Sequence, residues 1–223
     1  MKSYSILFFL CCALTGAVYA QEFPIAKENL VAVKTYMSFG KAGAKSVVKV
    51  TKDTTVTGFD EATFVKLKDV TFKNGTIETR LRSKLRSNAP ETARGFIGIA
   101  FRISEDNSKF ECIYLRPANG RVEDQVRRNH STQYFSYPDF KYDRLRKESP
   151  EKYESYADMG LNEWMSMKIV VEGAKAKLFV NGNSQPALIV SDLKLGADQT
   201  GGVGLFVDEG TEGFFYDVKV TAQ

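Results

Sequence analysis

The sequence has few of the residues that build disulfides, metal centres and histidine-based active sites. It contains three cysteines and a single histidine, His130, in 223 residues. Cys11 and Cys12 lie in the N-terminal apolar segment, so Cys112 is alone in the rest of the chain. A lone cysteine excludes an internal disulfide and a cysteine zinc site, and such a domain depends on its hydrophobic core. The acidic residues form no cluster with metal-ligand spacing, so we expect no metal and no cofactor. We expect His130 to be an exposed loop residue.

Long hydrophobic runs are absent apart from one at the N-terminus. Lys2 precedes an apolar run over residues 6–17, and Val18 and Ala20 are small residues at the two positions that a signal peptidase reads. The run is too short to span a bilayer. We therefore expect residues 1–20 to be a cleaved signal peptide and the protein to be secreted or periplasmic, without stable membrane insertion.

The chain also lacks a strong excess of charge of one sign. Lysine and arginine number 31 against 27 acidic residues, and removal of Lys2 with the signal leaves 30 against 27. Basic and acidic residues are interspersed and form no helical basic stripe. We therefore expect no nucleic-acid partner.

Short stretches of strand-forming residues are abundant from residue 46 onward, separated by Gly, Asn, Asp and Pro. In residues 76–85, TIETRLRSKL, the apolar positions alternate with Glu78, Arg80 and Arg82, which is typical of a sheet with one packed face. The pattern predicts an all-β fold, a two-sheet antiparallel β-sandwich of the jelly-roll type, and one domain over residues 21–223. One or two helical turns are predicted within residues 148–159, starting near Ser149.

A segment of 46 residues, 117–162, interrupts the strand pattern. Connections of this length are uncommon unless they are functional or disordered. The segment is rich in tyrosine and phenylalanine, which can bury area and argue against disorder. Its rings could wall a binding site, or they could form a satellite cluster that packs the loop onto the sandwich.

Glu111 stands out because it interrupts the apolar strand FECIYL, residues 110–115. Alternation in GFIGIAFRI places residues 97, 99 and 101 on the core face and Arg102 on the opposite face. If these consecutive strands are neighbours, Arg102 and Glu111 lie together on the outer face of the sheet. Such a pair could contact a ligand, with the arginine keeping the carboxylate ionised, or it could be a structural cross-strand ion pair.

Several strand sequences resemble a known fold family. EWMSMKIVVEGAKAKLFVNG, GGVGLFVDEG and FFYDVKV, which begin at residues 163, 201 and 214, resemble the closing half of the concanavalin A-like lectin/glucanase sandwich in its laminin-G-like form. NGTIETRL, GFIGIAFR and KFECIYLRP are similar to the 3-keto-disaccharide hydrolase-like branch of that superfamily. The resemblance implies a jelly roll with a carbohydrate site on a concave sheet, and it matches Arg102 and Glu111 to the Phe-Arg and aromatic-Glu pairs of the branch. The chain departs from the branch at Ile113 and at Val207-Asp208.

These observations define a candidate site and three alternative functions. Glu111 is the candidate catalytic residue, and the predicted ligand-binding residues are Arg102, Glu111, Arg116, Gln133, Tyr134, Glu78 and Arg80. Glu78 and Arg80 could equally be a solvated strand face. The leading prediction is glycan binding, with carbohydrate as the partner. The alternatives are a glycoside hydrolase or lyase acting on 3-keto-disaccharide-type sugars with Glu111 as the base, and a non-catalytic adhesion module.

Overall fold

Two antiparallel sheets form the fold in a computed structural model that describes residues 20–223. Residues 1–19, which hold most of the expected signal peptide, lie outside the described part. The strands are β1 Ala20–Phe23, β2 Leu30–Val33, β3 Thr35–Ala42, β4 Lys45–Lys52, β5 Phe64–Leu67, β6 Gly75–Leu85, β7 Ile97–Ile103, β8 Phe110–Leu115, β9 Thr132–Tyr137, β10 Glu154–Ser155, β11 Met165–Glu172, β12 Lys175–Val180, β13 Leu188–Val190, β14 Gly202–Val207 and β15 Thr211–Ala222.

The helical elements are short. They are the α-helices α1 Gln125–Asn129 and α2 Tyr142–Glu148 and the 3-10 turns Lys27–Asn29 and Pro117–Asn119. The helix expected within residues 148–159 is wrong, because α2 ends at Glu148 and the chain then turns into β10. Pro150 explains the early end, since a residue before proline is disfavoured in the helical region.

One sheet has eight strands and the other has seven. The first runs in the order β13-β12-β11-β6-β15-β4-β3, with β1 paired to β15, and the second runs β10-β9-β8-β7-β14-β5-β2. In β6, Ile77 and Leu81 are buried while Glu78 and Arg80 are partly exposed, as the alternation predicts. This arrangement confirms the predicted all-β, two-sheet jelly roll.

The central strands of the seven-stranded sheet are buried on both faces. All residues of β7, β8 and β14 are buried. Ile97 and Val207 lie against Gly213 of the eight-stranded sheet, so their face is the inner one. The outer face carries aromatic residues and is covered by segments from the 117–162 region, including the buried Leu145 of α2. Alternation alone could not tell the two faces apart, because neither is polar.

Gly98 allows the aromatic layer on this outer face to close. In the sheet register, Gly98 lies between Tyr114 on β8 and Phe206 on β14. The rings of Tyr114 and Phe206 meet over it with their centroids 5.5 Å apart. A Cβ at position 98 would lie 2.3 Å from the carbonyl oxygen of Ile113. Glycine is therefore required here by close packing rather than by a turn.

Candidate functional site

Arg102 is a buried structural clamp and does not lie on the outer face of the sheet. It adopts a left-handed conformation with φ of 54°, at a register irregularity between β7 and β14. This bulge redirects its side chain, since an extra residue in a strand breaks the alternation. Its guanidinium donates to the carbonyl oxygens of Lys73, Gly173 and Gly196 at 2.9, 2.7 and 2.8 Å. Arg102 therefore ties three loops together at one end of the sandwich.

Glu111 faces the interior between the sheets, so its expected outward direction is wrong. Its cross-strand neighbour Phe101 belongs to the inner face. Glu111 Oε2 accepts from the Tyr134 hydroxyl at 2.6 Å, and Oε1 accepts from the Leu195 N–H at 2.8 Å. Burial raises the pKa of Glu111. No ion pair joins Glu111 to Arg102 in residues 20–223; both side chains instead hold the loop between β13 and β14.

Tyr134 belongs to the same buried arrangement. Its hydroxyl accepts from the Lys194 N–H at 2.8 Å, and its ring packs on Tyr153 with the centroids 5.5 Å apart. The aromatic residues of the 117–162 segment therefore include a packing cluster on the sandwich. Tyr134 is fully buried and does not line the pocket described below.

Arg116 and Gln133 come together at the far end of β8, away from Glu111. The Arg116 guanidinium donates to Gln133 Oε1 at 3.0 Å, to the Tyr114 hydroxyl at 2.9 Å and to Glu154 Oε1 at 2.8 Å. Burial alone would lower the pKa of Arg116, but Tyr114 and Glu154 outweigh it and raise the pKa. Arg146 also binds the Glu154 carboxylate. Tyr114, Arg116 and Arg146 of this network line the floor of a pocket.

We call this pocket the arginine pocket, after the four arginines that line it: Arg94, Arg116, Arg127 and Arg146. It has a volume of about 260 Å³ and lies beside the outer face of the seven-stranded sheet. Ligand pockets usually span about 300–1,000 Å³, so this one suits a small group such as one or two sugar rings. His130 also lines it and is only 18% exposed, so the expectation of an exposed loop histidine is wrong.

Aromatic rings alternate with the guanidinium groups around the arginine pocket. The Phe59 ring packs edge-on against Phe96 and Tyr142, at 5.9 Å in both cases. Arg146 lies 5.5 Å from the Tyr142 ring centroid, and Arg116 lies 5.2 Å from that of Tyr114. Rings of this kind can stack on the apolar face of a sugar. Cation–π attraction holds the guanidinium groups of the arginines against the rings.

The positive charge of the pocket is only partly neutralised. Glu154 pairs with Arg116 and Arg146, and these arginines lower its pKa although burial alone would raise it. Burial, and then the charges of Arg127 and Arg116, lower the pKa of Arg94. Burial also lowers the pKa of His130. The pocket thus holds more guanidinium groups than its own carboxylate can balance.

A buried set of charged residues fixes the position of Tyr142. Asp60 Oδ2 accepts from the Tyr142 N–H at 2.8 Å, and Asp208 accepts from the Asp60 N–H at 2.8 Å and from Lys52 Nζ at 2.6 Å. Burial, and then the neighbouring Asp208, raise the pKa of Asp60 from 3.8 to about 7. Among residues 20–223, the Oδ1 atom of Asp60 has no hydrogen-bond partner. Lys52 thus pairs with Asp208, and in residues 20–223 no ion pair joins a cation to the neighbouring Asp60 carboxyl.

Glu78 and Arg80 lie on a different surface, the outer face of the eight-stranded sheet. They line an open groove of about 560 Å³, which we call the polar groove, together with Lys168 and Asn183. Glu78 and Lys168 are 3.9 Å apart and both about half exposed. Such a pair contributes little to stability and is typical of a solvated strand face. The structure therefore separates the predicted site residues into three places.

Sequence reasoning missed most of the arginine pocket. The missed residues lie outside the strand pattern, in a loop before β7 and in α1 and α2: Arg94, Arg127, Arg146 and Tyr142. The available signal was the density of arginine among the aromatic residues of the 117–162 segment. Within residues 20–223 no group of three or more His, Cys, Asp or Glu side chains could hold a metal ion. In the same range, no helix has the length and apolar character needed to cross a bilayer.

Comparisons with known proteins show the fold. No protein-family model matches the chain, and no curated protein matches it. Among solved structures, it is similar to the carbohydrate binding module CBM66 from Bacillus subtilis, with a TM-score of 0.54 and 12% identity over 85% of this chain and 93% of that one. It is also similar to a protein of unknown function with a galectin-like fold from Bacillus subtilis, with a TM-score of 0.55 and 10% identity over 93% of this chain and 98% of that one. Both likenesses are to the fold, a two-sheet jelly roll.

Proposed function

We propose that the chain is an exported glycan-binding protein whose single domain spans residues 21–223, and that the arginine pocket is its site. The observation that carries this proposal is the lining of the pocket, where aromatic rings alternate with hydrogen-bond donors beside one face of a jelly roll. Sugar recognition needs these two elements, an apolar platform for C–H groups and planar polar groups for hydroxyls. A similar fold in a carbohydrate binding module supports the proposal. The N-terminal apolar run supports export.

Binding is favoured over catalysis by the position of Glu111. Both of its carboxylate oxygens have protein partners, and it faces the opposite side of the sheet from the arginine pocket. A hydrolase or lyase of the 3-keto-disaccharide type would need this carboxylate to reach the substrate. An adhesion role is also less favoured, because the exposed large apolar residues of the described chain are spread over β2, β3, α1, β13 and the residues after β10.

The experiment that tests this proposal is calorimetric titration of the purified protein with a panel of mono- and disaccharides. Tyr142→Ala removes one wall of the pocket, and we expect it to weaken glycan binding about tenfold or more, since a buried aromatic ring contributes roughly 1.5–3 kcal/mol. Tyr156→Ala is the matched control, because Tyr156 is 41% exposed and outside the pocket lining. Equal affinity in both variants would contradict the assignment of this pocket.

A further inference from the structure

The arginine pocket contains two guanidinium groups that have no acidic partner within residues 20–223. Glu154 is shared by Arg116 and Arg146. In residues 20–223, no ion pair involves Arg94 or Arg127, which line the same pocket. Buried or half-buried charges are normally paired, because removing a charge from water without a partner is costly. These two arginines are therefore available for an external anion.

Arg127 carries a donor that the protein leaves unused. Its Nε atom is buried and has no hydrogen-bond partner in the described part of the chain, and its Nη2 atom makes only a long contact of 3.4 Å with Asn119 Oδ1. An unsatisfied buried donor is rare and costly. The backbone position of Arg127 is set independently, because its N–H is held by the Asp124 side chain at the start of α1. The guanidinium is thus positioned without being satisfied.

Arg94 reinforces this interpretation. Its Nη1 atom donates to the carbonyl oxygens of Glu91 and Ala93, which hold the side chain toward the pocket. Those acceptors carry no formal charge, and the nearby Arg116 and Arg127 repel the Arg94 guanidinium. An anion bound between Arg94 and Arg127 would relieve this repulsion and supply charge-assisted hydrogen bonds.

The walls of the pocket indicate more than a bare anion. Phe59, Phe96 and Tyr142 line it, and an inorganic ion would gain nothing from their rings. A ring-shaped ligand that carries an acidic substituent would use both features. The volume of about 260 Å³ limits the bound part to a small unit rather than a long chain segment.

We propose that the arginine pocket recognises an acidic sugar, a glycan unit with a carboxylate or sulfate group held by Arg94 and Arg127 and a sugar face packed on the aromatic wall. This inference rests on the proposed glycan-binding function and names its substrate class. Arg127 is the specificity-determining residue, since its guanidinium lines the pocket and no ion pair involves it within residues 20–223. Arg116 and Arg146 already hold Glu154 and shape the floor.

Titration of the purified protein with three disaccharides of equal length tests the inference. The three are a uronic acid disaccharide, its carboxyl-reduced neutral counterpart and a sulfated disaccharide. We expect one of the acidic sugars to bind at least about tenfold tighter than the neutral one, and the choice between them identifies the acidic group. Arg127→Gln should weaken that binding roughly 10- to 100-fold, as expected for loss of a hydrogen bond to a charged group.

Arg128→Gln is the matched control, with the same charge change one residue away. Arg128 is outside the pocket lining and lies over the Tyr156 ring at 5.4 Å. It should leave the affinity for the acidic sugar unchanged, and thermal melts should show both variants folded.

Equal binding of acidic and neutral sugars would overturn the acidic-sugar inference and leave the glycan-binding proposal intact. Binding of none of the three, with the broader panel also negative, would overturn both. Free sulfate binding as tightly as the sulfated disaccharide would also overturn the inference, because it would show that the sugar face is not recognised.

Discussion

Asp60→Asn removes a buried carboxyl whose ionisation opposes folding. Asp60 is fully buried, and burial and the nearby Asp208 raise its pKa from 3.8 to about 7. In the unfolded chain it ionises near its ordinary pKa, so the folded state binds the proton more tightly than the unfolded state does. Stability from this group is therefore present at low pH and is lost as pH rises from about 4 through about 7. Asparagine does not titrate and abolishes this contribution.

The expected magnitude follows from the two pKa values. Between about pH 5 and pH 8 the wild-type protein should lose about 3 kcal/mol of unfolding free energy at this residue, at about 1.4 kcal/mol per pKa unit. For a chain of this size this corresponds to a difference of roughly 6–12 °C in melting temperature. Asparagine is compatible with the backbone at this position, where φ is 55°, since asparagine tolerates the left-handed region.

Urea unfolding of wild type and Asp60→Asn from about pH 5 to pH 8 measures this effect. As pH rises across this range, the unfolding free energy of Asp60→Asn should increase by about 3 kcal/mol relative to that of the wild type. Asp69→Asn is the control, because Asp69 is also an aspartate with positive φ but is exposed. Its pH dependence should follow that of the wild type. Parallel curves for wild type and Asp60→Asn would refute the assignment of a raised pKa to this carboxyl.

Three further substitutions test the structural roles of single residues by urea unfolding and sugar titration. Glu111→Gln should lower the unfolding free energy by about 1–3 kcal/mol, because the amide group cannot accept from Tyr134 with one atom and from the loop backbone with the other. It should leave sugar affinity unchanged. Lost affinity or lost turnover with unchanged stability would instead favour a ligand-contacting role. Arg102→Met should cost more than about 3 kcal/mol, since it leaves three partly buried carbonyl groups without their charged donor. A loss below about 1 kcal/mol would contradict the clamp. Gly98→Ala should lower the unfolding free energy by about 1–3 kcal/mol or more, because the new Cβ overpacks the sheet. Gly40→Ala is the control and should not destabilise the protein, because no atom lies within 4 Å of its new Cβ. Equal stability of the two variants would contradict the close packing at Gly98.

The fold could be predicted from the sequence because alternation is a local property. Residues 76–85 form β6 with Ile77 and Leu81 inward, as the pattern indicates. The direction of Glu111 could not be predicted in this way, because both faces of its sheet are buried and alternation does not say which face meets the second sheet. Arg102 was misplaced for a different reason. Its left-handed backbone breaks the alternation, and nothing in the residue type signals that conformation.

The candidate site depends on contacts between distant parts of the chain. Lys52 and Asp208 are 156 residues apart in sequence but 2.6 Å apart in space. Arg94 and Arg146 reach the same pocket from a loop and from α2. In the sequence these residues are dispersed among ordinary surface charges. Only the covering of the outer face by the 117–162 segment brings them together, and loop placement of this kind is not encoded in periodicity.

Mapping of bound sugar by amide chemical shifts tests the central claim most directly, that the arginine pocket is the glycan site. The purified, isotope-labelled protein would be titrated with the acidic disaccharide that binds best. The account predicts shifts in the segments 92–96, 127–130 and 142–146, each of which contributes lining residues to the arginine pocket, and none at Glu78 and Arg80 in the polar groove. Shifts confined to the polar groove, with the arginine pocket unchanged, would contradict the account and place glycan binding on the eight-stranded sheet.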